Sequence, residues 1–137
     1  KKPVWIFMRD EKALDALNSD GLIKSLDDPD GTGNSKNQQP SYVTSNFRSI
    51  KNKESVAVIV GVCTHLGCSP TYRPEPGAAD LGGDSWKGGF YCPCHGSKFD
   101  LAGRVYAGVP APTNLVIPPY RYVSDSLIRI GVDPEIT

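Results

Sequence analysis

Short apolar runs, separated by stretches rich in glycine, proline and polar residues, give this chain most of its regular pattern. Val4–Met8 and Val56–Val62 are continuous apolar runs, and each predicts a buried strand. Tyr120–Val123 and Leu127–Val132 alternate on either side of a Ser-Asp-Ser turn, as the strands of a terminal hairpin do. The pattern therefore predicts an all-β protein of antiparallel strands.

One helical segment interrupts this pattern near the amino terminus. Asp10 is a suitable N-cap residue for a short helix over Glu11–Leu17, whose apolar residues fall on one face. Residues 25–41 are almost devoid of apolar side chains and predict a surface loop. Residues 69–89 are rich in proline and glycine, so we expect a second loop there with at most short strands.

Composition and charge limit the classes of protein to which this chain can belong. The 14 glycines and 12 prolines of the 137 residues agree with a loop-rich β protein of one domain, with or without a small inserted subdomain. Lys and Arg (15) balance Asp and Glu (15), so no nucleic-acid partner is expected. No segment approaches the roughly 20 apolar residues of a membrane helix. Because the chain begins at Lys1, we expect a processed product or a soluble fragment of a longer protein.

All four cysteines and both histidines lie in two short boxes, Cys63–Cys68 and Cys92–Ser97. The first box contains Cys-x-His and the second Cys-x2-His, whereas a structural zinc knuckle normally presents Cys-x2-4-Cys pairs. One sulfur and one nitrogen from each box match the mixed ligation of a Rieske [2Fe–2S] centre, in which two thiolates bind one iron and two imidazoles the other. The predicted metal ligands are Cys63, His65, Cys92 and His95.

Cys68 and Cys94 remain outside this ligand set. A cluster that draws the two boxes together brings these cysteines to a separation that suits a disulfide. Two other interpretations stay open on the residues alone: a zinc site with two spare thiols, and a pair of plain thiols in a reducing compartment.

The two boxes and the segment Pro110–Leu115 closely resemble the Rieske iron–sulfur protein of quinol–cytochrome c oxidoreductases, over roughly Val56–Val132. The long insertion between the boxes is similar to that of bacterial members. The resemblance implies a single Rieske domain over 1–137, with a base β-sandwich and a small rubredoxin-like cluster-binding subdomain over 62–112. It also implies a disulfide between Cys68 and Cys94, a pair that Rieske ferredoxins and oxygenase components usually lack.

The resemblance further implies the iron–sulfur subunit of ubiquinol–cytochrome c reductase, active only in the whole complex. One high-potential [2Fe–2S] cluster per chain would accept an electron, coupled to a proton, from ubiquinol and pass it to a c-type cytochrome. His95 would be the catalytic residue, hydrogen-bonding the quinol at a site shared with cytochrome b. An amino-terminal membrane helix of the family, absent from this sequence, would anchor the full-length protein at the periplasmic face of the bacterial inner membrane. The alternatives are a Rieske-type ferredoxin or oxygenase component, and a zinc-stabilised interaction module.

Two further residues are expected to tune the cluster. By resemblance, Ser97 belongs to the cofactor-binding set and donates a hydrogen bond to a bridging sulfide. Phe99 stands where many family members have a tyrosine that donates to a ligand thiolate, so we expect a potential below the family's highest values. Leu66, Gly67 and the stiff turn 108–112 are expected to cover the cluster and form an apolar docking tip.

Overall fold

Antiparallel strands and two short helices make up the regular structure of this protein, in a computed structural model that describes residues 2–43 and 46–134. The strands are β1 (Val4–Met8), β2 (Val56–Val60), β3 (Thr71–Arg73), β4 (Gly89–Tyr91), β5 (Lys98–Asp100), β6 (Tyr120–Ser124) and β7 (Leu127–Ile130). The helices are α1 (Glu11–Leu17) and α2 (Asp20–Lys24), and two single 3₁₀ turns lie at Ala79–Leu81 and Gly83–Ser85. The predicted all-β class with little helix is confirmed.

The strands form three small antiparallel sheets among the described residues: β1–β2, β3–β4–β5 and β6–β7. In the first sheet Val4 lies opposite Val60 and Met8 opposite Val56, so the two predicted apolar runs pair with each other. The terminal hairpin is present as predicted, with a bulge near its turn. β2 and β7 each end two residues earlier than predicted, at Val60 and Ile130.

The helix over Glu11–Leu17 begins as predicted, because a side-chain oxygen of Asp10 accepts a hydrogen bond from the Ala13 N–H at 2.8 Å. The second helix, α2, was not predicted. It has five residues and includes Gly21, so it is too short to show a helical period. Both helices bury leucines against the segment 101–102 in a small second core.

The main core joins the first sheet to the strands around the second cysteine box. The ring of Trp5 on β1 stacks on Phe90 of β4 with centroids 5.1 Å apart, and Phe99 of β5 lies opposite Phe90. Cys63 and Cys92 belong to the same buried cluster. The two cysteines are therefore held by the hydrophobic core rather than by surface loops.

The insertion 69–89 is a loop with one short strand, as predicted. The indole of Trp86 is buried, stacks on Tyr106 and donates a hydrogen bond to the Arg73 carbonyl at 3.2 Å. The guanidinium of Arg73 also makes a bidentate contact with Asp80, with N–O distances of 2.9 and 3.0 Å. The stacking on Tyr106 fixes the insertion to the body of the protein, and the hydrogen bonds of Arg73 hold the insertion together internally.

Arg48 shows that the irregular segment before β2 is part of the interior. Its side chain is 1% exposed, and burial lowers its pKa to about 10, so it remains charged at neutral pH. The guanidinium donates to the carbonyls of Ala102 (2.9 Å) and Leu115 (2.8 Å), and to Gln39 Oε1 (2.9 Å). One buried cation thus ties the segment around residue 48 to two segments after the second box.

Arg48→Met is expected to lower the free energy of unfolding by about 3 kcal/mol, because the variant leaves several buried oxygens without a donor while keeping most of the side-chain volume. Urea denaturation followed by circular dichroism measures this. The exposed Lys51→Met, three residues away, is the matched control and should change stability by less than about 0.5 kcal/mol. Equal midpoints for the two variants would contradict the structural role of Arg48.

The division into a base domain and a cluster-binding subdomain over 62–112 stays a prediction. Among the described residues, no helix has the length and apolar character needed to cross a bilayer.

Candidate metal centre

Two loops with the same backbone pattern carry the cysteine boxes. The first follows β2, and the second joins β4 to β5. In the first loop the Cys63 N–H donates to the Cys68 carbonyl at 2.7 Å, and the Gly67 N–H donates to the Cys63 carbonyl at 3.0 Å. In the second loop the corresponding bonds run from Cys92 to Ser97 at 2.8 Å and from Gly96 to Cys92 at 2.9 Å. The boxes are therefore equivalent in backbone structure, although their histidine spacings differ.

A glycine closes each loop at the same position. Gly67 and Gly96 both have φ of +84°, a backbone conformation that residues other than glycine rarely adopt. Each glycine follows its cysteine by four residues. The sequence analysis compared histidine spacings and missed this shared Cys-x3-Gly, which was the available signal for two matching loops.

Cys63 and Cys92 are buried, each 2% exposed, and neither is in a disulfide. Burial raises the pKa of the Cys63 thiol, and a side-chain hydrogen bond with Cys92 raises it further. The backbone N–H of His65 and the hydroxyl of Ser97 donate to the Cys63 sulfur, and both hydrogen bonds lower the pKa of the thiol. Since metals bind thiolates, a cation at this site must displace the thiol protons and supply the compensating charge.

The two imidazoles lie side by side at the outer edge of the site. Their ring centroids are 4.8 Å apart and the ring planes are at 85°. His65 is half-buried, whereas His95 is exposed. The site therefore has sulfur donors on the core side and nitrogen donors on the solvent side.

Cys68 and Cys94 form a disulfide with Cα atoms 6.6 Å apart, so the predicted bridge is confirmed. The sulfurs of Cys68, Cys92 and Cys94 all lie within 4.8 Å of one another. These three are nevertheless unsuitable as a donor set, because two of the sulfurs are bonded to each other and offer no thiolate. The thiols free to bind metal are those of Cys63 and Cys92.

A third loop, Gly108–Pro112, lies against both cysteine loops. The Ala111 N–H donates to Ser97 Oγ at 2.9 Å. On the other side, Thr64 Oγ1 donates to the Thr113 carbonyl at 2.7 Å. Thr64 was not singled out from the sequence, where nothing distinguishes a threonine that fixes a distant loop. Both cysteine loops are thus held in place by the proline-rich segment.

Ser97 lies at the end of the second cysteine loop and Phe99 in β5, directly after it. Ser97 is 1% exposed, its hydroxyl oxygen accepts from the Ala111 N–H, and a hydrogen bond from the hydroxyl to the Cys63 sulfur lowers the pKa of that thiol. Phe99 is fully buried in β5 and carries no hydroxyl. Leu66 is 69% exposed at the tip of the first loop.

The donor set fits a mixed sulfur and nitrogen ligation. Two free thiols lie in contact with each other, and two imidazoles lie in contact with each other, one of each kind from either loop. A binuclear cluster with two thiolates on one iron and two imidazoles on the other uses all four groups.

Comparison with known proteins gives the family. A family model described as Rieske [2Fe-2S] domain matches residues 30–121. The chain belongs to this family, and its cofactor is a [2Fe–2S] cluster.

Two relatives carry the name ubiquinol-cytochrome c reductase iron-sulfur subunit. The chain is 56% identical over 132 residues to that of Allochromatium vinosum, covering 96% of this chain and 60% of the relative. It is 38% identical over 130 residues to that of Bradyrhizobium diazoefficiens, covering 95% of this chain and 60% of the relative. The chain thus spans about 60% of the length of these relatives.

Among solved structures, the crystal structure of the cyanobacterial plasma membrane Rieske protein PetC3 from Synechocystis PCC 6803 matches with a TM-score of 0.41 and 29% identity. The match covers 58% of this chain and 67% of that chain.

Proposed function

We propose that Cys63 and Cys92 bind one iron of the cluster and that His65 and His95 bind the other. The support is the separation of the donors into a buried pair of thiols and an outer pair of imidazoles. The same separation gives the two ends of the site different properties. The thiolate end lies in the core, and the imidazole end lies where another molecule can reach it.

We further propose one-electron transfer from ubiquinol to a c-type cytochrome as the function of this domain, within a ubiquinol–cytochrome c reductase. The names of the two relatives support this assignment. The Cys68–Cys94 bridge supports it over the ferredoxin and oxygenase classes, which usually lack the pair. The exposed imidazole of His95 is the single structural observation that carries it, because a quinol must come within hydrogen-bond distance of the site.

When bound, the cluster supplies a one-electron redox couple at a potential that neutral imidazole ligands raise. The chain's own residues bring the quinol to it. His95 would hold metal through one ring nitrogen, and because its side chain is exposed, the other nitrogen would be free to hydrogen-bond a quinol oxygen and hold its proton. Leu66 follows His65 directly and is 69% exposed, so it offers an apolar surface to a partner that approaches the imidazoles.

The partners and the cellular location follow from this assignment. We propose cytochrome b as the subunit that forms the quinol site with His95, and a c-type cytochrome as the electron acceptor. We also propose that a membrane helix outside this chain anchors the protein and that the domain lies at the periplasmic face of the bacterial inner membrane. The subdomain over 62–112 would be the part that docks, because both cysteine loops and the proline-rich loop lie in it.

The reduction potential of the loaded protein tests the proposal. Rieske centres range from about −150 to +300 mV, and we expect a value in the upper part of that range by protein-film voltammetry. An EPR spectrum of the dithionite-reduced protein identifies the mixed ligation in the same sample. A potential well below zero would overturn the quinol assignment and favour a ferredoxin or oxygenase component. A colourless protein that contains zinc would overturn the quinol assignment and the ferredoxin or oxygenase alternative alike.

Two substitutions are expected to shift the potential in opposite directions. Ser97→Ala removes a hydrogen bond to sulfur that stabilises the reduced state, so the potential should fall by some tens of millivolts. Phe99→Tyr adds a hydroxyl near the thiolates and should raise it. The scale follows from about 59 mV per tenfold change in a one-electron equilibrium. Voltammetry of both variants at one pH is the measurement, and an unchanged potential in Ser97→Ala would make Ser97 a loop residue only.

A further inference from the structure

A free thiol lies beside the disulfide of this site. The Cys92 sulfur is within 4.8 Å of both sulfurs of the Cys68–Cys94 bridge, and it is unbonded. Thiol–disulfide exchange proceeds by attack of a thiolate on one sulfur of a disulfide that it can reach. The loops that carry these cysteines have little regular structure between β2 and β3 or between β4 and β5. Because the three sulfurs already lie within 4.8 Å of one another, a rotation of the Cys92 side chain with a limited shift of the bridge suffices for contact.

We propose that the cluster-free protein rearranges its disulfide. The Cys92 sulfur attacks the Cys68 sulfur, the Cys68–Cys94 bond breaks, and a Cys68–Cys92 bond forms. The proton lost by the Cys92 thiol is balanced by the one that the released Cys94 sulfur takes up. One disulfide is exchanged for another, so no external oxidant or reductant takes part. That the bound cluster prevents this exchange rests on the proposed ligand set, in which Cys92 binds iron.

Burial favours Cys94 as the released sulfur. Cys94 is exposed, so its thiol is solvated after the exchange, whereas Cys68, the sulfur that the alternative attack would release, is half-buried. The alternative product would join Cys92 to Cys94 across Pro93 alone, whose ring restricts the backbone between them. Bridging Cys68 to Cys92 links the two cysteine loops, as the original disulfide does.

After the exchange, the protein cannot rebind the cluster without a reductant. In the loaded protein Cys92 is a metal ligand and is not available to attack. In the rearranged protein only Cys63 remains of the two ligand thiols, so the site has three of its four donors. Reloading then requires a thiol reductant that returns Cys92 to the free state. The protein would thus hold its cluster reversibly only while the original disulfide persists.

Disulfide mapping tests the proposal directly. The loaded protein is treated with an iron chelator under anaerobic conditions without thiol reagents, then trapped at acidic pH, alkylated and digested for mass spectrometry. We expect the alkylated cysteines to be Cys63 and Cys94, at a rate independent of protein concentration. Recovery of Cys63 and Cys92 as the alkylated pair, with Cys68–Cys94 intact, would overturn the exchange. So would a Cys63–Cys92 disulfide in place of a rearranged one.

Two variants separate the exchange from the ligand assignment. Cys63→Ser keeps the Cys92 sulfur and should carry the Cys68–Cys92 bond as purified, without chelator. Cys92→Ser lacks the attacking sulfur and should keep Cys68–Cys94 under all these conditions. Iron content is measured on both: a full cluster in Cys92→Ser contradicts the ligand set, whereas an intact Cys68–Cys94 bond in cluster-free Cys63→Ser contradicts the exchange.

Discussion

Substitution of His65 by alanine is expected to give a protein without the [2Fe–2S] absorbance and without bound iron. The variant keeps both thiols and one imidazole, so the outer iron has lost one of its two protein donors. The side chain of His65 is half-buried and makes its ring contact with His95, so little of the core depends on it. We expect the polypeptide to fold while the cluster fails to assemble.

Absorbance, iron content and circular dichroism of the purified variant measure this. Leu66→Ala is the matched control, because Leu66 is the next residue, is exposed and has no donor atom. It should retain full cluster content. The same loss is expected for alanine at each other proposed ligand, Cys63, Cys92 and His95. A normal cluster in His65→Ala would remove the proposed ligation and, with it, the assignment of His95 to the quinol.

Strand positions were predictable where the chain buries both faces of a strand or alternates regularly. Val56–Val60 is apolar throughout because the core covers it, as predicted. Val4–Met8 pairs with it, but the prediction of a buried strand there is wrong, because Ile6 and Met8 are 53% and 70% exposed. The start of α1 was predictable because capping is local: Asp10 contacts a backbone N–H only three residues away. No comparable local signal marks α2, whose burial of Leu22 depends on residues about 80 positions later in the chain.

Buried charge could not be read from the sequence. Arg9 and Arg48 lie in the interior, where burial lowers the pKa of each to about 10, yet nothing in their sequence neighbourhoods distinguishes them from surface arginines. Most of their acceptors are main-chain carbonyls, up to 92 residues away. Which carbonyls remain unpaired in the core depends on how the loops pack, and that is a property of the folded chain.

More of the metal site than of the core could be predicted, because metal binding restricts residue types and their spacing. The two boxes alone predict two cysteine and two histidine ligands, an assignment that stays a prediction, whereas the predicted disulfide between the remaining cysteines is confirmed. The separation of buried sulfur from exposed nitrogen was not predictable. It arises because Cys92 comes directly after β4 and Cys63 three residues after the end of β2, so both cysteines join the core, while the histidines lie further along the loops.

Removal of the disulfide, in the double variant Cys68→Ala/Cys94→Ala, is expected to lower the free energy of unfolding by about 2–4 kcal/mol. The bridge closes a segment of 26 residues that includes the whole insertion between the boxes. Without it, the unfolded chain gains conformational freedom that the bonded chain lacks. The double variant is preferable to either single one, because a single unpaired cysteine would remain beside Cys92.

Chemical denaturation of the cluster-loaded proteins measures the difference. Each sample is incubated with denaturant for the same time, and the cluster absorbance is recorded against denaturant concentration. Wild-type protein unfolded after mild reduction serves as the control, since it lacks the bond but keeps the sequence. Both should lose the cluster absorbance at lower denaturant than the oxidised wild type. Because the ligand loops retain their own closing hydrogen bonds, from Gly67 to Cys63 and from Gly96 to Cys92, the cluster should still assemble in the variant. Coincident unfolding curves for the three samples would mean that these backbone bonds and the metal, rather than the disulfide, hold the two loops together.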